Sequence, residues 1–376
     1  MKKICHLTTA HPWNDVRIFG KECRSLAQGG YEVYLMAFEA KECTVDGVHV
    51  INAGKRPEGR LKRMYCGSKI LYKDALKIDA DIYHFHDPEL MGTGKKLAKK
   101  GKVVVYDIHE DVPRQILDKP YLNRVIAKLI SFVYECYEKR IIKHFSGLVC
   151  ATPYITSLFD KIHPLVEEIN NYPLLSEVRQ GESSEVFKED KVCYIGGLSE
   201  IRGILQLIES ISYCGGTRLA LAGEFESLSL KEKASGLAGW AYVDELGYIS
   251  RKKSLEIKSV SKAGLVTFLP AANHINAQPN KLFEYMSAGL PVICSNFLLW
   301  KDIVEKNKCG LCVEPSDPKA IAEAVQYIIN HREVAEEMGQ NGRKAVLEKY
   351  NWGIEEVKLM KFYSALSTVN KSGIYE

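Results

Sequence analysis

Lys281 and Glu284 stand three residues apart in the stretch HINAQPNKLFEYMSAGLPVICSN, residues 274–296. That spacing places both on one side of a helix, near its start. A carboxylate there can accept two hydrogen bonds from a vicinal diol such as a ribose, and an ammonium can meet a phosphate. A surface ion pair of little energetic weight is the plain alternative. Pro279 or Asn280 opens the helix, Gly289 ends it, and Pro291 leads into a strand. Leu282, Phe283 and Met286 fall on another face, at spacings that let them bury together.

A second stretch, YIGGLSEIRGILQLI (194–208), runs strand, Gly196-Gly197, loop, Arg202-Gly203, helix. The glycines permit close backbone approach, and Arg202 adds a bidentate donor near a helix N-terminus, so phosphate binding is one reading. A plain strand–helix turn with a solvated arginine is the other. The stretch is neither a Walker loop, lacking Gly-Lys-Ser/Thr, nor the dinucleotide fingerprint, lacking its third glycine.

In the first half, HFHD (84–87) and YDIHED (106–111) cluster histidines and acids on two strand ends. His84 and His86 share a strand face. His86, Asp87 and His109 form a possible metal-hydrolase set; the alternative is a core histidine with polar loop residues. Asp79 and Asp81 form a D-x-D that precedes its strand, at the wrong end for a site. Asp15 and Arg17, after the first strand, are acceptor ligands or else a cap and a surface charge.

These residues need a scaffold. Short apolar β-branched runs alternate with amphipathic stretches throughout: KICHLTT, EVYLMAF, VHVINA, DIYHFHD, VVVYDIH and GLVCATP, then KVCYIGG, RLALAGE, WAYVDEL, GLVTFLP, PVICSN and CGLCVEP. Alternating strand and helix yields parallel sheets covered on both faces, here two doubly wound domains. The boundary falls in the polar segment 171–190, so the expected domains are 1–172 and 173–353. A last helix over 354–370 follows, with 367–376 a loose end. Ligands of such sheets bind beyond the carboxyl ends of the strands, which is where the residues above lie. If the two sheets face each other, these loops line one cleft.

The 376 residues suffice for two such cores, and 46% hydrophobic with 26% charged residues describes a soluble globular chain. A net charge of +4 does not call for nucleic acid. The N-terminal MKKICHLTTAHPWND lacks a signal peptide's apolar core and no window reaches a membrane span, so the expectation is cytoplasmic. Eleven scattered cysteines, several in strands, read as reduced thiols, and the C-x-x-C at 309–312 as strand residues. Basic runs at 95–102 and 139–144 and around RPEGRLKRMYCGSK suit either solvated helix faces or peripheral contact with anionic lipid.

Taken in order, HPWNDVRIFGKECRSLAQGGYEV, DIYHFHDPEL, VVYDIHED, YIGGLSEIRGI and above all PNKLFEYMSAGLPVICSN resemble the retaining glycosyltransferases of family 4. The resemblance covers nearly the whole chain. It implies the GT-B fold, two Rossmann-like domains facing each other across a cleft, with the acceptor on the first and a nucleotide-sugar on the second. It implies a last helix crossing back to the first domain. Glu284, ending the family's E-x7-E element, would bind the ribose; Gly196, Gly197 and Asn280 would line the nucleotide, and Arg202 and Lys281 would meet the diphosphate. His109 and Asn276 would orient the sugar, and Asp15, Arg17, His86 and Asp87 the acceptor. Asn276 stands where the family has its first glutamate, so no carboxylate nucleophile is available there. Gly197 replaces the arginine often found in the glycine-rich loop.

By resemblance the donor is a UDP-sugar, the acceptor a glycan or lipid-linked chain of a cell-surface polysaccharide, and no metal or other cofactor is required. A sugar-nucleotide epimerase of the same fold would need acid and base carboxylates where Asn276 stands. A non-catalytic partner in polysaccharide assembly would bind nucleotide and turn nothing over.

Overall fold

The structure is a computed structural model, describing residues 1–117, 119, 122–179 and 189–369, except the side chains at 60 and 367–369. The chain divides into two compact units, Met1–Asn171 with the segment from Trp352 onward, and Tyr172–Asn351. Residues 180–188 of the anticipated boundary and 370–376 of the anticipated tail lie outside the described residues.

The first unit is built on an eight-stranded sheet in the order β3-β4-β2-β1-β5-β6-β7-β8. Its strands are β1 Lys3–Leu7, β2 Glu32–Ala37, β3 Cys43–Val45, β4 Val48–Asn52, β5 Ile82–Phe85, β6 Val103–Ile108, β7 Gly147–Cys150 and β8 Val166–Glu168. All pairs are parallel except β3–β4. Every residue of β5, β6 and β7 is buried, as the continuous apolar runs require when helices cover both faces. β3 and β8 are short and were not foreseen. β3 follows from Asp46 and Gly47, both at positive φ, a two-residue turn that folds Val45 back on Val48.

The helix Trp352–Val369 completes this unit and continues through 367–369, where a loose end was expected. Leu359, Phe362, Tyr363 and Leu366 are buried, and the bare Cα of Gly147 leaves room for the Phe362 ring. Trp352 Nε1 donates to Ser25 Oγ at 2.9 Å, and Glu355 accepts from the Asn170 amide at 2.7 Å.

The second unit carries six parallel strands ordered β11-β10-β9-β12-β13-β14. They are β9 Lys191–Ile195, β10 Arg218–Ala222, β11 Val243–Gly247, β12 Ala263–Val266, β13 Val292–Ser295 and β14 Gly310–Val313. β9 is central: the chain winds outward to β10 and β11, then crosses to β12 on the other side. Such a reversal leaves a crevice between the carboxyl ends of β9 and β12, and the connections that follow those strands carry Arg202 and Lys281. All eleven cysteines are free thiols. Cys312 lies in β14, and Cys309 directly precedes it.

Candidate active site

In the second unit, two glycines allow the loop after β9 to fold tightly. Gly196 has φ +143°, and a Cβ there would collide with the Lys281 side chain. Gly203 has φ +70°, and a Cβ there would strike the Thr267 carbonyl just beyond β12. Both positions thus favour glycine for conformation, and Gly203 for space as well, since the atom it meets is backbone. Between them, Glu200–Arg202 forms one tight helical turn, and Arg202 Nη1 donates to the Gly197 carbonyl at 3.0 Å.

Arg202 and Lys281 meet over one ring. The guanidinium carbon lies 5.7 Å from the Phe268 centroid, and the ammonium 5.6 Å from it and 5.5 Å from that of Tyr194. Cation–π attraction tolerates this pair of like charges, but no carboxylate is ion-paired with either among the described residues. Burial first, then the charge of Arg202, pushes the Lys281 pKa down to about 8, with Glu284 partly offsetting. Two converging cations without an anion form a site for one.

The helix that presents Lys281 and Glu284 spans Asn280–Ser287, with Pro279 capping it. Leu282, Phe283 and Met286 are buried. Tyr285 anchors it to the sheet: its hydroxyl accepts from the Ile195 amide at 3.0 Å, and its ring fills the space above Gly264. Glu284 is 43% exposed, with Oε2 3.9 Å from Nζ of Lys258, a buried lysine of the helix Arg251–Val260. Asn280 is exposed, and Asn276 is partly buried at the end of the turn Ala272–Ile275. The intervening loop is tied down by Trp300 Nε1 donating to the Ala277 carbonyl at 2.6 Å.

Two residues here were not anticipated. Lys258 lies three positions after Leu255 on the inward side of its helix, a signal that was legible. Thr267 carries a buried hydroxyl without a hydrogen-bond partner at the β12 end, which only the fold could show.

In the first unit, three expected acceptor ligands turn out to be structural. Arg17 is buried and fully engaged: Nε and Nη2 donate to Asp107 at 3.0 and 2.9 Å, Nη1 to the Ile169 carbonyl at 2.8 Å, and Glu22 lies 3.0 Å from Nε. Asp87 is buried, accepting from Thr8 Oγ1 at 2.8 Å and the Thr9 amide at 2.6 Å. His86 is buried, its two ring nitrogens against His6 (2.9 Å) and Asp107 (3.0 Å). Asp15 takes the cap reading, accepting from the Arg17 and Ile18 amides at 2.8 and 2.9 Å while pairing with His11. Of the three histidines in or just past β5 and β6, His84, His86 and His109, only His109 keeps a partly exposed side chain. Its Nε2 donates to Asp107 at 2.7 Å.

The hydrolase set His86, Asp87, His109 is therefore not assembled. Asp87 faces the Thr8–Thr9 loop, and the acid beside both histidines is Asp107. A deeper group, His6, Glu22, His84 and His86, is fully buried, and His6 Nε2, His84 Nε2 and the Glu22 oxygens lack hydrogen-bond partners. The guanidinium of Arg17, 3.0 Å from Glu22, opposes a dication there.

The buried titrating groups predict an acid-sensitive fold. Burial first holds His6, His84, His86 and His163 below the ordinary histidine value. Burial raises Glu22, and raises Glu138 to about 8. Histidines depressed in the folded state keep their full stabilisation above the unfolded value near 6.5 and lose it as the pH falls from there; the two raised glutamates act in the opposite sense. Glu167 and His11 are raised as well, and His144 is lowered, so five depressed histidines stand against four raised groups and the net loss is small, at about 1.4 kcal/mol per pH unit for one net proton. Urea denaturation between pH 7 and 5 is expected to show a shallow fall in stability; stability that rises toward pH 5 would mean the raised groups outweigh the depressed histidines.

Residues 178–345 match the family described as Glycosyl transferases group 1, and residues 20–167 match Glycosyltransferase Family 4. The capsular polysaccharide biosynthesis glycosyltransferase CapM of Staphylococcus aureus is 28% identical over 181 residues, 46% of this chain and 45% of that one. The D-rhamnosyltransferase WbpZ of Pseudomonas aeruginosa is 24% identical over 281 residues, 71% and 68% of the respective chains. The match thus spans about half the length of the first of these relatives. Among solved structures, sucrose-phosphate synthase from Thermosynechococcus elongatus superposes with a TM-score of 0.77 at 17% identity, covering 98% of this chain and 100% of that one. Anabaena Alr3699/HepE in complex with UDP and glucose superposes at 0.73 with 14% identity, covering 97% and 100%. Two Rossmann-like sheets matched end to end in this way define the GT-B fold of sugar-transferring enzymes. Within that class, the chain belongs to the family 4-like glycosyltransferases.

Proposed function

We propose that the chain transfers a sugar, with retention, from a nucleoside diphosphate donor, a UDP-sugar, to a glycan or lipid-linked acceptor in cell-surface polysaccharide synthesis. The observation that carries this reading is the Arg202–Lys281 pair over Phe268, unpaired with any described carboxylate, one helical turn from the half-exposed Glu284. The spacing suits a diphosphate on the cations and ribose hydroxyls on the carboxylate. The UDP in the HepE complex and the polysaccharide role in CapM's name support the choice of donor and acceptor.

In this reading no metal is needed, because Arg202 and Lys281 stabilise the charge that builds on the departing diphosphate. The acceptor hydroxyl attacks from the leaving-group face and its proton passes to the leaving phosphate. Asn276 supplies an amide to a sugar hydroxyl rather than a nucleophilic carboxylate. An epimerase has no acid–base pair of carboxylates at Asn276.

The test is a melting experiment with UDP, GDP and ADP, with and without EDTA, on the native chain and on Glu284→Ala. A nucleotide at about a hundred times its Kd adds about 2.7 kcal/mol. UDP is expected to stabilise the native chain regardless of EDTA, and the variant far less. Equal stabilisation of the variant would remove Glu284 from the ribose; no stabilisation by any nucleotide would sink the donor-site reading.

A further inference from the structure

The helix Arg124–Ile141 packs inward through Ala127, Ser131, Glu138 and Ile141, spaced by three, four and seven. The opposite pole is apolar too. Val125, Ile126, Leu129, Phe132, Val133 and Tyr137 are all exposed, Val125 at 75% and Phe132 at 66%. A helix apolar on its outward face calls for a second apolar surface to cover it. The flank is cationic. Lys128 borders the apolar pole, and Arg140 and Lys143 follow at its end. The helix Met91–Ala98 packs alongside, with Lys95 and Lys96 in its last turn and Lys99 just after. These charges converge: after burial, those of Lys95, Lys99 and Arg140 lower the pKa of His144. Opposing acids are neutralised, since Glu135 is held by Arg114 and Lys139 and burial raises Glu138 to about 8. No described helix is long and apolar enough to cross a membrane.

We propose that this helix lies in the interface of an anionic lipid bilayer, its outward apolar pole inserted among the acyl chains and its lysine and arginine flank on the headgroup phosphates. An apolar face rimmed by cations matches such a surface on both counts. A second copy of the chain would bring two cationic rims together. The inference deepens the lipid-linked acceptor of the proposed function and rests on that reading only for its purpose: vesicle binding requires neither donor nor acceptor, so its failure and that of the transferase reading are read separately.

The experiment is vesicle co-sedimentation of the full chain with phosphatidylcholine alone or mixed equally with phosphatidylglycerol, at low and high salt. Two variants accompany the native chain, Leu129→Glu with Phe132→Glu, and Lys95→Ser with Lys99→Ser and Arg140→Ser. Leu129, Phe132, Lys99 and Arg140 are exposed and Lys95 is half-buried, and thermal melting checks that each variant is folded. Binding to the mixed vesicles alone, weakened about tenfold or more by either set and by salt, is the expected result. Three results would each overturn the proposal: no binding to mixed vesicles, binding that the folded glutamate variant retains, or a dimer in sedimentation velocity that the glutamate pair dissolves.

Discussion

Lys281→Ala is expected to lower kcat/KM by about two to three orders of magnitude, the usual effect of removing one preorganised charge partner of a developing anion. The fold should tolerate the change, because Lys281 packs over ring faces and makes no ion pair among the described residues. The pH profile supplies a sharper test. In the free enzyme the lysine pKa stands at about 8, depressed by burial and by Arg202. Raising the pH through 8 removes the charge that binds diphosphate, so kcat/KM should fall on that alkaline limb. Donor phosphates favour the charged form and raise the value, so kcat should hold to higher pH. Lys281→Arg stays charged throughout; it should keep part of the activity and lose the limb. A native profile flat through this range would show that another group carries the phosphate.

Arg17→Ala is expected to destabilise the fold by about 3–5 kcal/mol, the range for breaking a buried ion pair and leaving its partner uncompensated. Burial pushes Asp107 toward the neutral acid, but the charges of Arg17 and His109 and the hydrogen bonds from His109 and His86 hold it well below the usual carboxylate range. Without the guanidinium, Asp107 and Glu22 face each other in a closed interior. Arg17→Lys should not rescue the loss, since one ammonium cannot satisfy two Asp107 oxygens and the Ile169 carbonyl together. Combining Arg17→Ala with Asp107→Asn should cost less than the sum of the two, because they share one network. Urea denaturation at neutral pH measures each case. A loss under about 1 kcal/mol would indicate that Arg17 is solvated and return it to the candidate acceptor ligands.

Local chemistry explains why the donor half was legible. The helix over 280–287 is bounded by Pro279 and Gly289, its apolar residues share a face, and Lys281 and Glu284 are three apart whatever surrounds them. Gly196 and Gly203 sit at positive φ, and Gly203 lies against a backbone carbonyl, demands of the backbone that leave their mark in residue type. The acceptor half was less so. Asp87 and His86 lie just past a strand end and Arg17 just before a helix, all with the residue types of ligands, yet they are buried and committed to neighbouring protein groups.

The sequence by itself determined two wound parallel sheets, because strand length, apolar runs and intervening helices follow from backbone periodicity and burial. It also determined the glycine loop and the cation–carboxylate helix, since both are local. Only the tertiary structure decided which polar residues are scaffold. β1, β5 and β6 are neighbours in the sheet though far apart in the chain. That order brings the loop after β1 against Asp107, ninety residues away from Arg17, and seals His86 and Asp87 from solvent. Likewise only the fold turned Val125, Leu129 and Phe132 outward. A helix apolar on both sides does not say in sequence which side the sheet takes; the match of Ala127, Ser131 and Ile141 to the packed surface does.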